Sequence, residues 1–382
     1  MNILLVSNDK ELAGPARVRL FHEQHDTIAD TLREMGFRGK IPKEGLEPLD
    51  PIVSGDYDTH YKIFAIEQAL HRGGHRVNYV DIADMTRVEA EIRSGNYDKI
   101  FNYAEGLAWY PFNERETEIA KLAEKYGVPH TGSSPDVARV VFDKYLFAEA
   151  LTRAGVRTPP AVRVVRGDQY KGDYPVFVKP PCAGSGVGID ENTATNSEKL
   201  DSIVNQLVTE CFQPVIVQPL IANAREYTVA LLPHEGDIVA FVPLRIFHGG
   251  SYGWKYKYGE NATVTKYVLS ANPDECDVMR KLAVEAYKAL GMQGFARVDI
   301  MYNHDPHVIE INQPAGLARG RMEISNRNLS YREVIRDEDI SDYPRAVLAS
   351  VHDPRHKHFD FPPLRSFVDV IDAIAQAPKV RY

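Results

Sequence analysis

The first eight residues hold a short apolar run, Ile3-Leu4-Leu5-Val6, that breaks into polar residues, the pattern of a buried first strand rather than of a leader. Apolar residues return at helical spacing over about 58–71, with Ile63, Ile66 and Leu70 on one face, and Gly73-Gly74 closes that helix. Residues 76–82 and 99–103 read as strands, and 114–126 as a helix closed by Gly127. This alternation predicts a parallel sheet with helices packed on it. Residues 20–57, charged and studded with proline and glycine, follow neither period and are assigned no regular element.

Ser134 before Pro135 marks a helix start, because a serine hydroxyl can cap backbone amides and proline fits the first helical position. Val137, Val140, Val141, Phe147 and Leu151 then predict one helix running to Gly155, with Asp143-Lys144 in its middle. After Pro159-Pro160 the pattern turns to strands at 176–179, 215–220, 227–232 and 238–247, and Glu235-Gly236-Asp237 makes the last two a hairpin. A helix near 276–290 precedes two further strands, 296–302 and 307–312, joined by a short polar turn. The tail beyond about Ser325 is mixed and ends in an amphipathic helix through Leu364, Val368, Ile371 and Ile374.

A chain of 382 residues exceeds one ordinary core, so two or three lobes around a cleft are expected. The net charge of -8, with scattered basic residues, argues against nucleic acid as a partner. Nothing approaches the length of a membrane span. The three cysteines, Cys182, Cys211 and Cys276, lack metal spacing and suit a reducing compartment. These features together describe a cytoplasmic, multi-lobed α/β protein.

Chemistry concentrates in two places. Arg297 and Asp299 alternate on one strand and Glu310 and Asn312 on the next, so a hairpin would gather a guanidinium, two carboxylates and an amide on one surface. Hard oxygen donors at that density suit magnesium and, through it, phosphate. The plain alternative for either half alone is a polar surface hairpin. Upstream, a strand ends in Lys179 and opens into Cys182-Ala183-Gly184-Ser185-Gly186-Val187-Gly188. Glycines let backbone amides approach phosphate oxygens, although the spacing is neither the Walker nor the dinucleotide pattern. Lys144 would by itself be a solvated helix charge; a strand lysine and a glycine loop that follow it suggest a two-lobed nucleotide clamp.

The ordered set TGSSP, DK, AGVRTPP, FVKPPCAGSGVGI, VIVQPLI, REYTV, KYKYGE, ARVDI and VIEINQPAG resembles D-alanine–D-alanine ligase and its ATP-grasp relatives, over roughly residues 99–316. The resemblance implies an α/β (α+β) ATP-grasp fold: an N-terminal parallel α/β domain (1–132), a central lid (133–221) and a C-terminal domain (222–382). It implies ATP with two magnesium ions, manganese being an alternative, small-molecule acid and amine substrates, and a homodimer. Residue by residue, Lys144 and Lys179 match the phosphate lysines, and Gly184, Ser185 and Gly186 the mobile loop. Gln218, Leu220 and Ile221 match the adenine strand, Glu226 the ribose acid, and Lys257 and Tyr258 the active-site loop pair. Arg297 matches the arginine near the transition state, Gly316 a backbone donor to the second substrate, and Asp299, Glu310 and Asn312 the metal ligands.

Several positions depart from the family pattern and bear on the substrate. Glu105-Gly106 stands where a His-Gly pair is usual; Glu105 would either receive a substrate ammonium or fix the turn at 113–116. Gln218 replaces a glutamate, and Arg321, or Arg319, occupies the place of a carboxylate-binding serine. Glu11 lacks the neighbours of the family's N-terminal substrate loop, so a substrate pair other than two D-alanines is expected. The rivals are another ATP-grasp phosphotransferase or carboxylase, and a non-catalytic nucleotide-binding protein. Cys182 reads as a small packing residue, and His352, His356 and His358 lack the carboxylate partners of a metal site.

Overall fold

In the computed structural model the described residues are 1–44, 53, 55, 57–189, 192–247, 266–270, 272–317, 342–351 and 364–380. Strand β1 (Asn2–Ser7) lies between β2 (Arg76–Asp81) and β3 (Lys99–Tyr103), and all three are parallel. The run of apolar residues in β1 serves two cores at once, as a parallel sheet covered on both faces requires. Ile3 and Leu5 pack with Ile63, Ile66 and Leu70, whereas Leu4 and Val6 pack with Val88, Ile92, Ile119 and Ala123.

Much of the unassigned N-terminal stretch is helical. Helix α1 (Lys10–Glu34) starts where Asp9 accepts the Glu11 amide at 3.0 Å. Its first turns place Ala13 and Ala16 beneath the parallel sheet; Phe21, Ile28 and Leu32 belong instead to the core of the next sheet. Phe21 meets Phe212 with ring centroids 4.6 Å apart and Trp109 at 5.1 Å. Helices α2 (His60–Arg72), α3 (Met85–Arg93) and α4 (Glu118–Tyr126) complete this part, and Gly127, at φ 67°, closes α4.

The single helix expected through Lys144 is broken. Helix α5 (Pro135–Phe142) ends and α6 (Lys144–Arg153) begins at Asp143, whose backbone is extended and whose carboxylate accepts the Tyr145 amide at 2.9 Å. Lys144 is therefore the first residue of a helix, not a mid-helix charge.

A four-stranded antiparallel sheet follows, in the order β4 (Val162–Val164), β7 (Val215–Pro219), β5 (Val176–Lys179), β6 (Thr193–Ala194). Helix α7 (Ser197–Cys211) covers it through Leu200, Ile203, Val204 and Leu207. In the third sheet β8 (Arg225–His234) pairs with β9 (Asp237–Ala240) across the turn at Glu235-Gly236, both with positive φ, as a two-residue hairpin needs. The strand expected over 238–247 is interrupted at 241–243, where Pro243 supplies no N–H. It resumes as β10 (Leu244–Phe247), which pairs with both β8 and β11 (Lys266–Leu269). Helix α8 (Pro273–Ala289) packs on this sheet, and β12 (Ala296–Tyr302) and β13 (Pro306–Asn312) form its far side.

The tail returns to the N-terminal part. Helix α9 (Asp342–Val351) contacts β8, with the Tyr343 hydroxyl donating to Leu231 O at 3.0 Å. Helix α10 (Phe367–Gln376) lies against α2, and Leu364 precedes it rather than joining it. Lys99 donates to Ala375 O at 2.8 Å and Ala377 O at 3.0 Å, a cation placed where the helix dipole is negative. His75 pairs with Asp372 at 2.7 Å.

His130 bridges to Ile100 beside β3 and is buried. Its Nδ1 accepts the Gly132 amide at 3.2 Å, and its Nε2 has no hydrogen-bond partner among the described residues. Burial, with repulsion from Lys379 and Lys99, pushes the imidazole down from 6.5 to about 4. A depressed histidine stabilises the fold fully above its unfolded value, and that contribution is lost as pH falls toward the folded one. Urea unfolding at pH 7 and near pH 4 should show wild type losing about 3 kcal/mol more than His130→Asn over that window. Equal acid sensitivity of the two proteins would refute this role.

Candidate active site

The β12–β13 hairpin sets Arg297 opposite Asn312 and Asp299 opposite Glu310, and a register shift between Asp299 and Ile300 separates this pairing from the turn end, where Ile300 opposes Val308. Arg297 grips Asp299 in bidentate fashion, Nε to Oδ1 at 3.0 Å and a terminal nitrogen to Oδ2 at 2.8 Å. Asn312 donates its amide N–H to the same Oδ2 at 2.9 Å, so its carbonyl oxygen remains an acceptor. Burial pushes the Asp299 carboxyl up, Arg297 opposes that shift, and the neighbouring Glu310 charge adds to it. Two carboxylates and an amide oxygen held this close are a donor set that fits a hard divalent cation, which would relieve the crowding of negative charge.

Both lysines reach the same place from other elements. Lys144 Nζ donates to Ala183 O at 2.6 Å and lies 3.6 Å from Glu310 Oε2. Lys179 ends β5 and is buried. Burial brings its ammonium down to about 8; Lys144 adds to the shift, while Glu310 and Glu226 oppose it. The groups on the hairpin and the two lysines thus share one electrostatic neighbourhood, with Glu226 beside them.

The loop after Lys179 is a chain of tight turns. Val187 N–H donates to Gly184 O at 2.9 Å and Ile189 N–H to Gly186 O at 3.3 Å. Ser185, Gly186 and Gly188 all have positive φ, at 50°, 79° and 68°. At Gly188 a Cβ would stand 3.0 Å from the Pro180 ring, and with the positive φ any larger residue there would be strained. Cys182 packs beside this loop, its N–H on Gln213 at 2.8 Å, and burial pushes its thiol well above the ordinary range. That environment suits a packing residue and not a nucleophile.

Gln218 donates Nε2–H to Pro159 O at 2.9 Å, which commits its amide nitrogen and leaves Oε1 as the acceptor. Leu220 and Ile221 follow β7 at half-buried positions. Gly316 lies just beyond the hairpin, in a segment pinned by the Leu317 N–H to the Tyr103 hydroxyl at 3.0 Å. Glu105 lies just past the end of β3, with its N–H on Asn8 Oδ1 at 2.6 Å. In the neighbouring turn Asn113 reaches Asp143 at 3.3 Å, and Glu114 bonds Lys121 and Thr117. Glu11 is exposed on the first turn of α1. Lys257, Tyr258, Arg319, Arg321, His352, His356 and His358 lie outside the described residues.

Sequence reasoning overlooked a group of polar residues at the carboxyl ends of the parallel strands. Asp9 bonds His60 at 3.0 Å, Asp81 accepts the Asp9 amide at 2.7 Å, and Tyr79 donates to Asp81 at 2.9 Å. The residues come from segments far apart in sequence, and only the polar residues at the strand ends could have signalled them. It also missed the capping role of Asp143, because apolar residues at helical spacing run on both sides of it.

A parallel α/β sheet followed by two antiparallel sheets, with lysines from one side meeting a carboxylate hairpin from the other, is an ATP-grasp architecture. Solved structures agree: D-alanine–D-alanine ligase from Bacillus anthracis complexed with ATP superposes with a TM-score of 0.60 at 16% identity, over 99% of this chain and 96% of that one. VanG D-Ala:D-Ser ligase from Enterococcus faecalis superposes at 0.56 and 18% identity, over 83% and 91%. Residues 150–333 match the family described as D-ala D-ala ligase C-terminus. The D-alanine–D-alanine ligase of Marinomonas sp. (strain MWYL1) is 32% identical over 269 residues, 66% of this chain and 80% of that protein. That of Bordetella petrii is 30% identical over 262 residues, 66% and 76%. The chain belongs to the D-alanine–D-alanine ligase family of ATP-dependent carbon–nitrogen ligases. No described helix is long and apolar enough to cross a membrane.

Proposed function

We propose that this protein activates an amino-acid-like carboxylate by phosphoryl transfer from ATP and joins it to an amine, with a substrate pair other than two D-alanines. The observation that carries this reading is the meeting of Lys144 with Glu310 at 3.6 Å, with Lys179 buried in the same field. The parts at 1–132, 133–221 and 222–382 act as base, lid and catalytic domain. Lys144, Lys179 and the turns at Gly184, Ser185 and Gly186 take the phosphates. Gln218, Leu220 and Ile221 take adenine and Glu226 the ribose; Lys257 and Tyr258 belong to the site by resemblance alone.

Asp299, Glu310 and Asn312 would hold magnesium, which supplies charge neutralisation of the phosphates when bound. Among the described residues no three His, Cys, Asp or Glu side chains form a metal cluster, so the amide oxygen and phosphate oxygens would complete the shell. The substrate carboxylate attacks the γ-phosphorus, giving an acyl phosphate and ADP. The amine then attacks the acyl carbon, and phosphate leaves. Arg297 and the Gly316 amide face the charge that develops on the acyl oxygen. The glycine loop keeps water from the acyl phosphate. A different substrate pair is supported by the exposed Glu11 and by Glu105, a carboxylate able to receive an ammonium. A homodimer acting in the cytoplasm accompanies this reading.

Phosphate release across a panel of amino acids and amines, followed by product mass, tests the reaction. An ATP-dependent amide is expected. A stable phosphorylated hydroxyl product would replace ligation by a kinase reaction, and release with D-alanine alone would overturn the substrate assignment.

A further inference from the structure

The carboxylate of Asp143 is buried and uses acceptor positions on both oxygens. Oδ1 takes the amides of Tyr145 and Leu146 at 2.9 and 3.4 Å. Oδ2 takes the Arg163 guanidinium at 2.9 Å and the Asn113 amide at 3.3 Å. These partners come from separate places: Asn113 from the segment between β3 and α4, and Arg163 from β4, the outer strand of the central sheet. The Arg163 guanidinium also lies 4.5 Å from the Tyr145 ring centroid, on the first turn of α6.

A neutral side chain is enough to cap a helix here, since Ser134 caps α5 with a hydroxyl. The charged pair at Asp143 does something more. Helix α6 packs through Phe147 and Leu151 into the core of the third sheet, whereas Arg163 sits on the sheet that carries Lys179. The Arg163–Asp143 contact therefore crosses the junction between two cores. It sits one residue before Lys144, whose N–H donates to Pro181 O at 3.1 Å and whose Nζ reaches Ala183 O.

We propose that Arg163 is a positioning residue for nucleotide binding: through Asp143, and alongside Asn113, it sets where Lys144 stands relative to Lys179, so that both ammonium groups meet one triphosphate. The proposal rests on the assignment of Lys144 to the ATP phosphates. Charge-assisted contacts fix geometry as well as energy, and a lysine displaced by a fraction of its reach loses much of its effect on a phosphate. Arg163 itself is half-exposed at a sheet edge, so its replacement leaves the central core intact.

The test is calorimetric titration with ATP plus magnesium and, separately, with adenosine. Arg163→Ala should weaken ATP by roughly tenfold and leave adenosine unchanged, and Arg163→Lys should recover part of the loss. Lys144→Ala should weaken ATP at least as much, and adding Arg163→Ala to it should cost less than about twofold further. Effects that multiply in the double variant, an unchanged ATP affinity in Arg163→Ala, or an equal loss for adenosine would each overturn the positioning role while the phosphate assignment stands. An unchanged ATP affinity in Lys144→Ala would remove that assignment, and the proposal with it.

Discussion

Arg297→Ala is expected to lower turnover by about 10²–10³ while ATP affinity stays within a few-fold of wild type. The guanidinium is placed by its pair with Asp299, whose two contacts at 3.0 and 2.8 Å hold it on the face shared with Glu310 and Asn312. A donor fixed in this way needs no reorganisation when charge develops on the acyl oxygen. The same pair also matters for the fold. Its side chains are 16% and 6% exposed, and removing one partner of a buried ion pair costs about 3–5 kcal/mol. Because Arg297 is what opposes the upward shift of Asp299, the alanine variant should also hold that carboxyl protonated to higher pH and require more magnesium. Arg297→Lys keeps the charge but not the two-point grip, so it should restore only part of the turnover. Phosphate release at saturating ATP measures the effect. Undiminished turnover in the alanine variant would take Arg297 out of the chemistry.

Glu310→Gln should abolish most of the activity, about 10² or more, and move half-saturation by magnesium to a higher concentration. The substitution keeps shape and removes one of two carboxylates that face each other across the hairpin. It relieves the Asp299 carboxyl of a like charge, so stability should change little. Its second effect falls on Lys179. Glu310 helps to hold that ammonium protonated against burial, and without it the value drops further below about 8. A lysine is charged below its pKa, so ATP affinity should begin to fall at lower pH in the variant than in wild type. A variant with ordinary magnesium dependence and full activity would leave the hairpin without a metal role.

The hairpin and the phosphate loop were legible because their signals are local. In a strand, alternate residues share a face whatever the surroundings, so Arg297 with Asp299 and Glu310 with Asn312 could be grouped from spacing alone. The pairing of one couple with the other was not legible, because it depends on a register shift between Asp299 and Ile300 that no spacing announces. The glycines after Lys179 announce positive φ without knowledge of the fold.

Helix α1 was illegible for an opposite reason. Its apolar residues serve two different cores, Ala13 and Ala16 one, Phe21, Ile28 and Leu32 another, and buried Arg17 and His25 interrupt the stripe. No single amphipathic face exists for periodicity to detect. The break at Asp143 was hidden because the apolar spacing continues across it. Its carboxylate is held by Arg163 and Asn113, twenty and thirty residues away in the chain.

The sequence by itself determined which residues share a strand face, where lysine meets a glycine turn, and the ligase family to which such an order belongs. Tertiary structure alone decided that Lys144 begins a helix, that it comes within 3.6 Å of Glu310, and that the tail helix docks beside β3. Local backbone geometry repeats with the chain and can be read along it. The distance between two lobes depends on packing among residues hundreds of positions apart, and no local period encodes that.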